Sequence, residues 1–313
     1  MFTPSACRPR RAAPAIGLLL AALSAAAGCG TQEAAPRATP RQQGTQQETQ
    51  QETQQAVRQP GEHGLRVDGR DRRYLLDPAT GLGEGERAAV VVVLHQEGGT
   101  PQGVAAETAL ASLRESGATL VYPAGVGRSW DAGGCCGLPR REGVDYVEFL
   151  DALLDDVAAR TPVDPDRTAL VGYSSGGMLT YRYVCARSGV LAAAVVVSGS
   201  LESPCGSELT VPHVLTLHGK EDGTIGLDRS SFVTALGLRP RPVNSTLRVL
   251  TASAGCQAPV ATTEPGADVY RWTGCLGGSV IEARLITGAG HGWGGLGASA
   301  RTADFLRDRL LKG

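Results

Sequence analysis

Apolar residues fall along the chain into two kinds of run. Short unbroken stretches, many of them β-branched, lie at Ala88–Leu94, Ala118–Tyr122, Ala192–Val197 and Val211–Leu217, and another ends at Val171. A run without polar alternation is apolar on both faces, so each predicts a strand buried inside a sheet. Leu247–Thr251 and Ala283–Ile286 read as further strands. Leu65–Val67 and Arg73–Leu76 read as an early hairpin with Asp68-Gly69 at its turn.

The second kind of run has helical spacing. Val147, Leu150, Leu153, Leu154 and Val157 give Val144–Ala159 one apolar stripe, which predicts an amphipathic helix. Val104–Ser116, Met178–Ala186 and Ala298–Leu311 read as helices as well. Strands alternating with helices imply an α/β fold, with a mainly parallel central sheet and helices on both faces. No second linker interrupts residues 61–313, which read as one domain. Residues 30–60 differ: Gln, Thr, Glu, Pro and Arg predominate, and Gln-Gln-Glu-Thr is written twice at 46–53. With no apolar period to build a core, residues 29–60 are expected to be a disordered tether.

Ahead of the tether, Arg8, Arg10 and Arg11 precede an alanine-rich apolar stretch from Ala12 to Ala27. That is the layout of an export signal. It ends in Ala26-Ala27-Gly28-Cys29, which resembles a bacterial lipobox. Residues 1–28 are therefore expected to be a lipoprotein signal peptide, with Cys29 as the lipidated first residue and the membrane as a partner through it. The expected location is extracellular, at the cell surface. Six later cysteines, Cys135, Cys136, Cys185, Cys205, Cys256 and Cys275, read as disulfide partners in an exported chain. Cys256 with Cys275 and Cys185 with Cys205 is the favoured pairing. Cys135 and Cys136 then either bridge each other or pair with Cys185 and Cys205. No Cys-x-x-Cys or histidine-rich cluster is present, so neither a metal site nor a cofactor is expected. Net charge is −1, and no basic run is interleaved with aromatics, which argues against nucleic acid as a partner.

The candidate chemistry centres on Gly172-Tyr173-Ser174-Ser175-Gly176, between the strand ending at Val171 and the helix from Met178. G-x-S-x-G between strand and helix resembles the nucleophile elbow of α/β-hydrolases. A tight turn lifts the Ser174 hydroxyl clear, and the Ser175 amide at the helix start is placed to hold an oxyanion. In that class the acid and then the histidine follow the serine along the chain. Of the five histidines, His291 in Gly288-Ala-Gly-His-Gly-Trp-Gly-Gly295 lies late enough, and it is assigned as the base. Asp222, just after a buried strand, is the favoured acid, with Glu221 next and Asp228 third. A second oxyanion donor is expected from the backbone at Gln96 or Glu97, after the strand ending at Leu94. His218 is expected to shape the Asp222 loop.

With these pieces placed, most of residues 63–295 resembles the secreted esterases that include polyhydroxybutyrate depolymerases, feruloyl esterases and acetylxylan esterases. The resemblance rests on Val91–His95, Val121–Gly137, Gly172–Gly177, Leu217–Asp222 and Gly290–Gly294. It implies an α/β-hydrolase fold and a serine carboxylic-ester hydrolase, with Ser174, Asp222 and His291 on the family's nucleophile, acid and base. The substrate it implies is an oligomeric polyester or a plant cell-wall ester. Trp130, Tyr173 and Trp293 are expected to wall a substrate pocket. Gln96 stands where the family usually has Gly, Asp131 where Asn is usual, and Ile225-Gly-Leu replaces Val-Pro-Tyr after the acid. Two other outcomes remain open from sequence: an acyltransferase, or a surface lipoprotein that binds ligand without catalysis.

Overall fold

The computed structural model describes residues 61–312; the expected signal peptide 1–28, the tether 29–60 and Cys29 lie outside the described residues. Ten strands form one sheet: β1 (Gly61–Val67), β2 (Arg70–Asp77), β3 (Ala88–Leu94), β4 (Ala118–Pro123), β5 (Val163–Tyr173), β6 (Ala193–Val197), β7 (His213–Gly219), β8 (Val260–Glu264), β9 (Ala267–Trp272) and β10 (Ile281–Ile286). Their spatial order is β1-β2-β4-β3-β5-β6-β7-β10-β9-β8. The central strands from β4 to β10 pair in parallel. An antiparallel hairpin closes each side.

The unbroken apolar strands have the physical reason the pattern suggested. Along β3, Val90, Val92 and Leu94 enter one core, while Ala89, Val91 and Val93 enter the other. The first face is covered by α3 (Tyr146–Arg160), α4 (Ser175–Ala186) and α5 (Val243–Ser253). The second is covered by α1 (Pro101–Thr108) and α6 (Ala298–Leu306); the short α2 (Gly137–Arg141) lies in the loop region after β4. Asp145 caps α3 by accepting from the amides of Val147 and Glu148. This is the expected α/β-hydrolase architecture, with helices on both faces.

Three elements depart from the sequence reading. Leu247–Thr251 is not a strand but part of α5, because Val243, Leu247 and Leu250 share one buried face at helical spacing. The helix expected over Val104–Ser116 starts earlier, where Thr100 caps Gly103, and ends at Ala109, which turns left-handed at φ 50. Leu110 and Leu113 still reach the core through a single 3₁₀ turn, which mimics a continuing helical stripe. The β8–β9 hairpin was not expected, since every residue of β8 is exposed and carries no apolar alternation. The chain's disulfides among the described residues are Cys135–Cys136, Cys185–Cys205 and Cys256–Cys275. The last two are separated by 20 and 19 residues, so each contributes about 3 kcal/mol by loop closure.

Candidate active site

Ser174 sits where β5 meets α4, at φ 53 and ψ −116, a strained conformation for a residue with a side chain. Its amide donates to Val197 (2.9 Å) and its carbonyl accepts from Met178 (3.0 Å), so the turn is pinned on both sides. The flanking glycines are sterically required. A Cβ on Gly172 would strike the Gly176 carbonyl, and one on Gly176 would strike the carbonyls of Leu94 and His95. The elbow therefore packs backbone against backbone with the loop after β3.

His291 arrives on the loop between β10 and α6. Its Nε2 lies 3.0 Å from Ser174 Oγ and its Nδ1 lies 2.8 Å from Asp222 Oδ2. Three side chains distant in sequence thus form one hydrogen-bonded line at the carboxyl edge of the parallel sheet. Asp222 lies three residues beyond β7, and its side chain is fully buried. Burial alone would raise its pKa, but hydrogen bonds from His218, from His291 and from the Ile225 amide hold it well below the usual carboxylate range. Its other oxygen, Oδ1, accepts from the amides of Thr224 and Ile225, both at 2.8 Å. An ionised Asp222 requires the His291 Nδ1 to carry the proton, leaving Nε2 to accept from Ser174. This arrangement can deprotonate the serine and stabilise the imidazolium that results.

His218, expected to shape this loop, is buried, with Nε2 2.7 Å from the Ile225 carbonyl and 3.1 Å from Asp222 Oδ2. Ile225, standing where the family usually has Val, supplies both an amide to the acid and a carbonyl to His218. The alternative acids lie elsewhere: Asp228 accepts from the Asn244 side chain, and Glu221 is exposed.

Among the described residues, the backbone amides of Ser175, Gln96 and Glu97 have no hydrogen-bond acceptor, as a waiting oxyanion donor requires. The Glu97 carboxylate is drawn to Ser129 Oγ (2.7 Å). Burial raises its pKa above the ordinary value, against the pull of that hydrogen bond.

The aromatic residues need correction. Trp130, expected to wall a pocket, has no accessible surface. Its Nε1 donates to the His95 carbonyl (2.7 Å) and its ring lies 4.4 Å from the His95 imidazole. Trp293 is also buried, donating from Nε1 to Ser299 Oγ (2.9 Å). Tyr173 packs between Trp293 and the histidine: its ring centroid is 6.0 Å from that of His291 and 6.0 Å from that of Trp293. These aromatics brace the loops, because the loops leave the sheet and need apolar ballast to hold position.

The feature that sequence did not announce is His95 itself. It is fully buried; Nδ1 donates to the Gln96 carbonyl (2.8 Å) and Nε2 accepts from the Gly125 amide (3.1 Å). Burial pushes its pKa down to about 4, so the ring is neutral. Its sequence signals are its position directly after an unbroken buried strand and its place at the end of the Val91–His95 segment of the resemblance, and neither gave the ring a role. Asp131, where Asn is usual, pairs with Arg182 of α4 at 3.2 Å and accepts from the Gly133 amide at 2.7 Å.

No family model matches the chain. Individual proteins do. The protein described as "Putative esterase NocK", of Nocardia uniformis subsp. tsuyamanensis, is 30% identical over 281 residues, 79% of this chain and 81% of its own. Feruloyl esterase C of Emericella nidulans is 26% identical over 63% of this chain and 74% of its own. Among solved structures, an acetyl xylan esterase from Aspergillus awamori superposes with a TM-score of 0.59 at 16% identity, over 79% of this chain and 99% of that one, which bears on the fold. With this fold, and with that extent of likeness to an esterase relative, the chain belongs to the α/β-hydrolase esterase family that includes the feruloyl esterases, and it is a serine carboxylic-ester hydrolase.

Proposed function

We propose that this esterase is exported and cleaves plant cell-wall esters, feruloyl or acetyl, through an acyl-enzyme on Ser174. The observation that carries the reading is the line from Ser174 Oγ through His291 to Asp222, with hydrogen bonds of 3.0 and 2.8 Å. In the proposed cycle His291 Nε2 takes the Ser174 proton as Oγ attacks the ester carbonyl. Asp222 remains ionised and holds the imidazolium. The amides of Ser175 and of Gln96 or Glu97 receive the oxyanion. Collapse expels the alcohol, which takes its proton from His291, and a water repeats the sequence on the acyl-enzyme.

Wild-type protein and Ser174→Ala are to be treated with a fluorophosphonate probe, then compared on p-nitrophenyl acetate, methyl ferulate, acetylated xylan and hydroxybutyrate oligomers. Labelling of the wild type alone, with turnover of a cell-wall ester, is the expected result. Equal labelling of both proteins removes Ser174 as nucleophile, and turnover confined to hydroxybutyrate oligomers removes the cell-wall assignment. The three disulfides support an oxidising, extracytoplasmic location. Attachment through Cys29 follows from the lipobox alone; metabolic lipid labelling that survives Cys29→Ser rules it out.

A further inference from the structure

A cavity of about 410 Å³ lies apart from Ser174, His291 and Asp222, none of which lines it. It opens where β3 and β4 end, bounded by the His95–Gln102 loop, by Ala124–Arg128 and by Glu62, Arg73, Tyr74 and Leu75 of the first hairpin. That is the same carboxyl edge of the sheet that carries Ser174, the edge at which open α/β sheets take their ligands. The two sites share a wall. The His95 loop lines the cavity, carries the proposed oxyanion amides and has its His95 carbonyl pressed against Gly176 of the serine elbow. In the sheet order β4-β3-β5, two strand spacings lie between the end of β4 and Ser174, roughly 10 Å.

The cavity's polar lining is unbalanced. Arg73 uses one Nη1 contact, to Glu62 at 3.2 Å, and Arg128 uses its Nε, to the Gly99 carbonyl at 3.3 Å. Among the described residues their remaining guanidinium N–H groups have no acceptor. Among the described residues Glu62 is the only carboxylate on the lining, and the lining histidine, His95, is neutral with both ring nitrogens engaged. Two guanidinium groups facing one carboxylate leave a net positive site with planar donor pairs, the geometry that recognises a carboxylate. Leu75, Pro101 and Ala124 supply apolar surface beside them, suited to the carbon skeleton that bears it.

We infer that this cavity is an accessory subsite for a carboxylate borne by the substrate about 10 Å from the ester that Ser174 attacks. It goes beyond the esterase reading and rests on it only for the position of the ester. Two sources share the chemistry: a uronate branch on a cell-wall saccharide, and the free terminal carboxylate of a hydroxy-acid oligomer.

The test uses Arg73→Glu, since this side chain is mostly exposed and its reversal leaves the core intact. KM is measured on acetylated xylo-oligosaccharides with and without a glucuronate branch, on hydroxybutyrate oligomers with a free or methylated terminus, and on p-nitrophenyl acetate. Arg73→Glu is expected to raise KM about tenfold on one or both carboxylate-bearing substrates. Their neutral counterparts and p-nitrophenyl acetate are expected to be unaffected. The free-acid substrate that responds names the source. Equal KM changes on acidic and neutral substrates, or none on either, overturn the proposal. Calorimetric binding of glucuronate-branched and unbranched oligosaccharide to Ser174→Ala gives the same discrimination without turnover. Tighter binding of the branched form that Arg73→Glu abolishes supports the subsite even where no ester is hydrolysed, and equal binding removes it.

Discussion

Two loops at the carboxyl edge of the sheet each bring a histidine beside a tryptophan-bearing segment, and the two imidazoles have opposite fates. His95, after β3, is sealed in: one nitrogen donates to Gln96, the other accepts from Gly125, and Trp130 covers the ring. His291, after β10, keeps 20% of its side chain exposed and spends its nitrogens on a buried carboxylate and a serine hydroxyl. An imidazole whose partners are all backbone and whose ring is buried has lost the ability to gain a proton, and serves as a strut. An imidazole with an ionised partner behind it and a hydroxyl in front is placed to take that hydroxyl's proton as the oxygen attacks. The residue type is the same, and the surroundings assign the role.

The comparison breaks most sharply at His291. His291→Ala is expected to lower kcat by about 10⁵-fold or more, because removing one member of a unit of this kind removes most of what the unit does. Its effect on thermal unfolding is expected to be small, since the ring is partly exposed and holds no apolar core. Asp222→Asn comes next, with a loss of roughly 10⁴-fold. The amide keeps the shape but no longer fixes the proton on Nδ1. Steady-state kinetics with melting curves for both variants checks this. A melting point that collapses together with activity would make the His291 loop a strut like the other.

His95 carries the converse expectation. Its pKa is lowered from 6.5 to about 4 by burial. Above 6.5 neither the folded nor the unfolded state binds this proton, so stability is complete. As pH falls from 6.5 towards 4 the unfolded chain takes up the proton and the folded protein does not, so stability is lost across that window. The loss amounts to about 2 kcal/mol by pH 5 and about 3 kcal/mol in full. His95→Gln removes the titrating group, so the stability difference from wild type is expected to shift by about 2 kcal/mol in the variant's favour between pH 7.5 and pH 5. Urea unfolding at the two pH values measures it. A difference that does not move with pH would mean the His95 ring is reached by solvent.

How far the sequence could be read follows the same division between sheet and loops. The central strands were legible because burial on both faces leaves no polar residue in Ala88–Leu94, a pattern with one reading. The meeting of Ser174, Asp222 and His291 was legible because steric need fixes glycines beside the serine and chain order restricts the partners proposed for it. Leu247–Thr251 was misread because five residues are too few to separate period 2 from period 3.6, and the deciding neighbour, Val243, lies outside that window. The β8 edge was invisible because its register is set by backbone pairing to β9 and not by any buried side chain. Trp130 was taken for a pocket wall because an aromatic in a glycine-rich loop reads alike whether it faces substrate or packs beneath. Only its hydrogen bond to the His95 carbonyl separates the two.

The smallest expected effect concerns how the strut is fastened. Asp131 follows Trp130 directly, and Arg182 of the helix behind Ser174 donates to the Asp131 carbonyl at 2.8 Å and forms an ion pair with its carboxylate at 3.2 Å. The two side chains are 12% and 21% exposed, so the pair is neither solvated nor sealed. Its worth therefore lies between that of a surface pair and that of a buried one. Asp131→Asn retains an oxygen for the Gly133 amide and the carbonyl contact, and removes only the charge. It is expected to cost about 1 kcal/mol, a fall in melting temperature of about 2–4 °C. Because that charge holds a strut and not the reacting groups, kcat/KM on p-nitrophenyl acetate is expected to stay within about twofold of wild type, a change of less than 0.5 kcal/mol. A clear loss of kcat/KM at an unchanged melting temperature would move the Trp130 loop from the structural side of the comparison to the catalytic one.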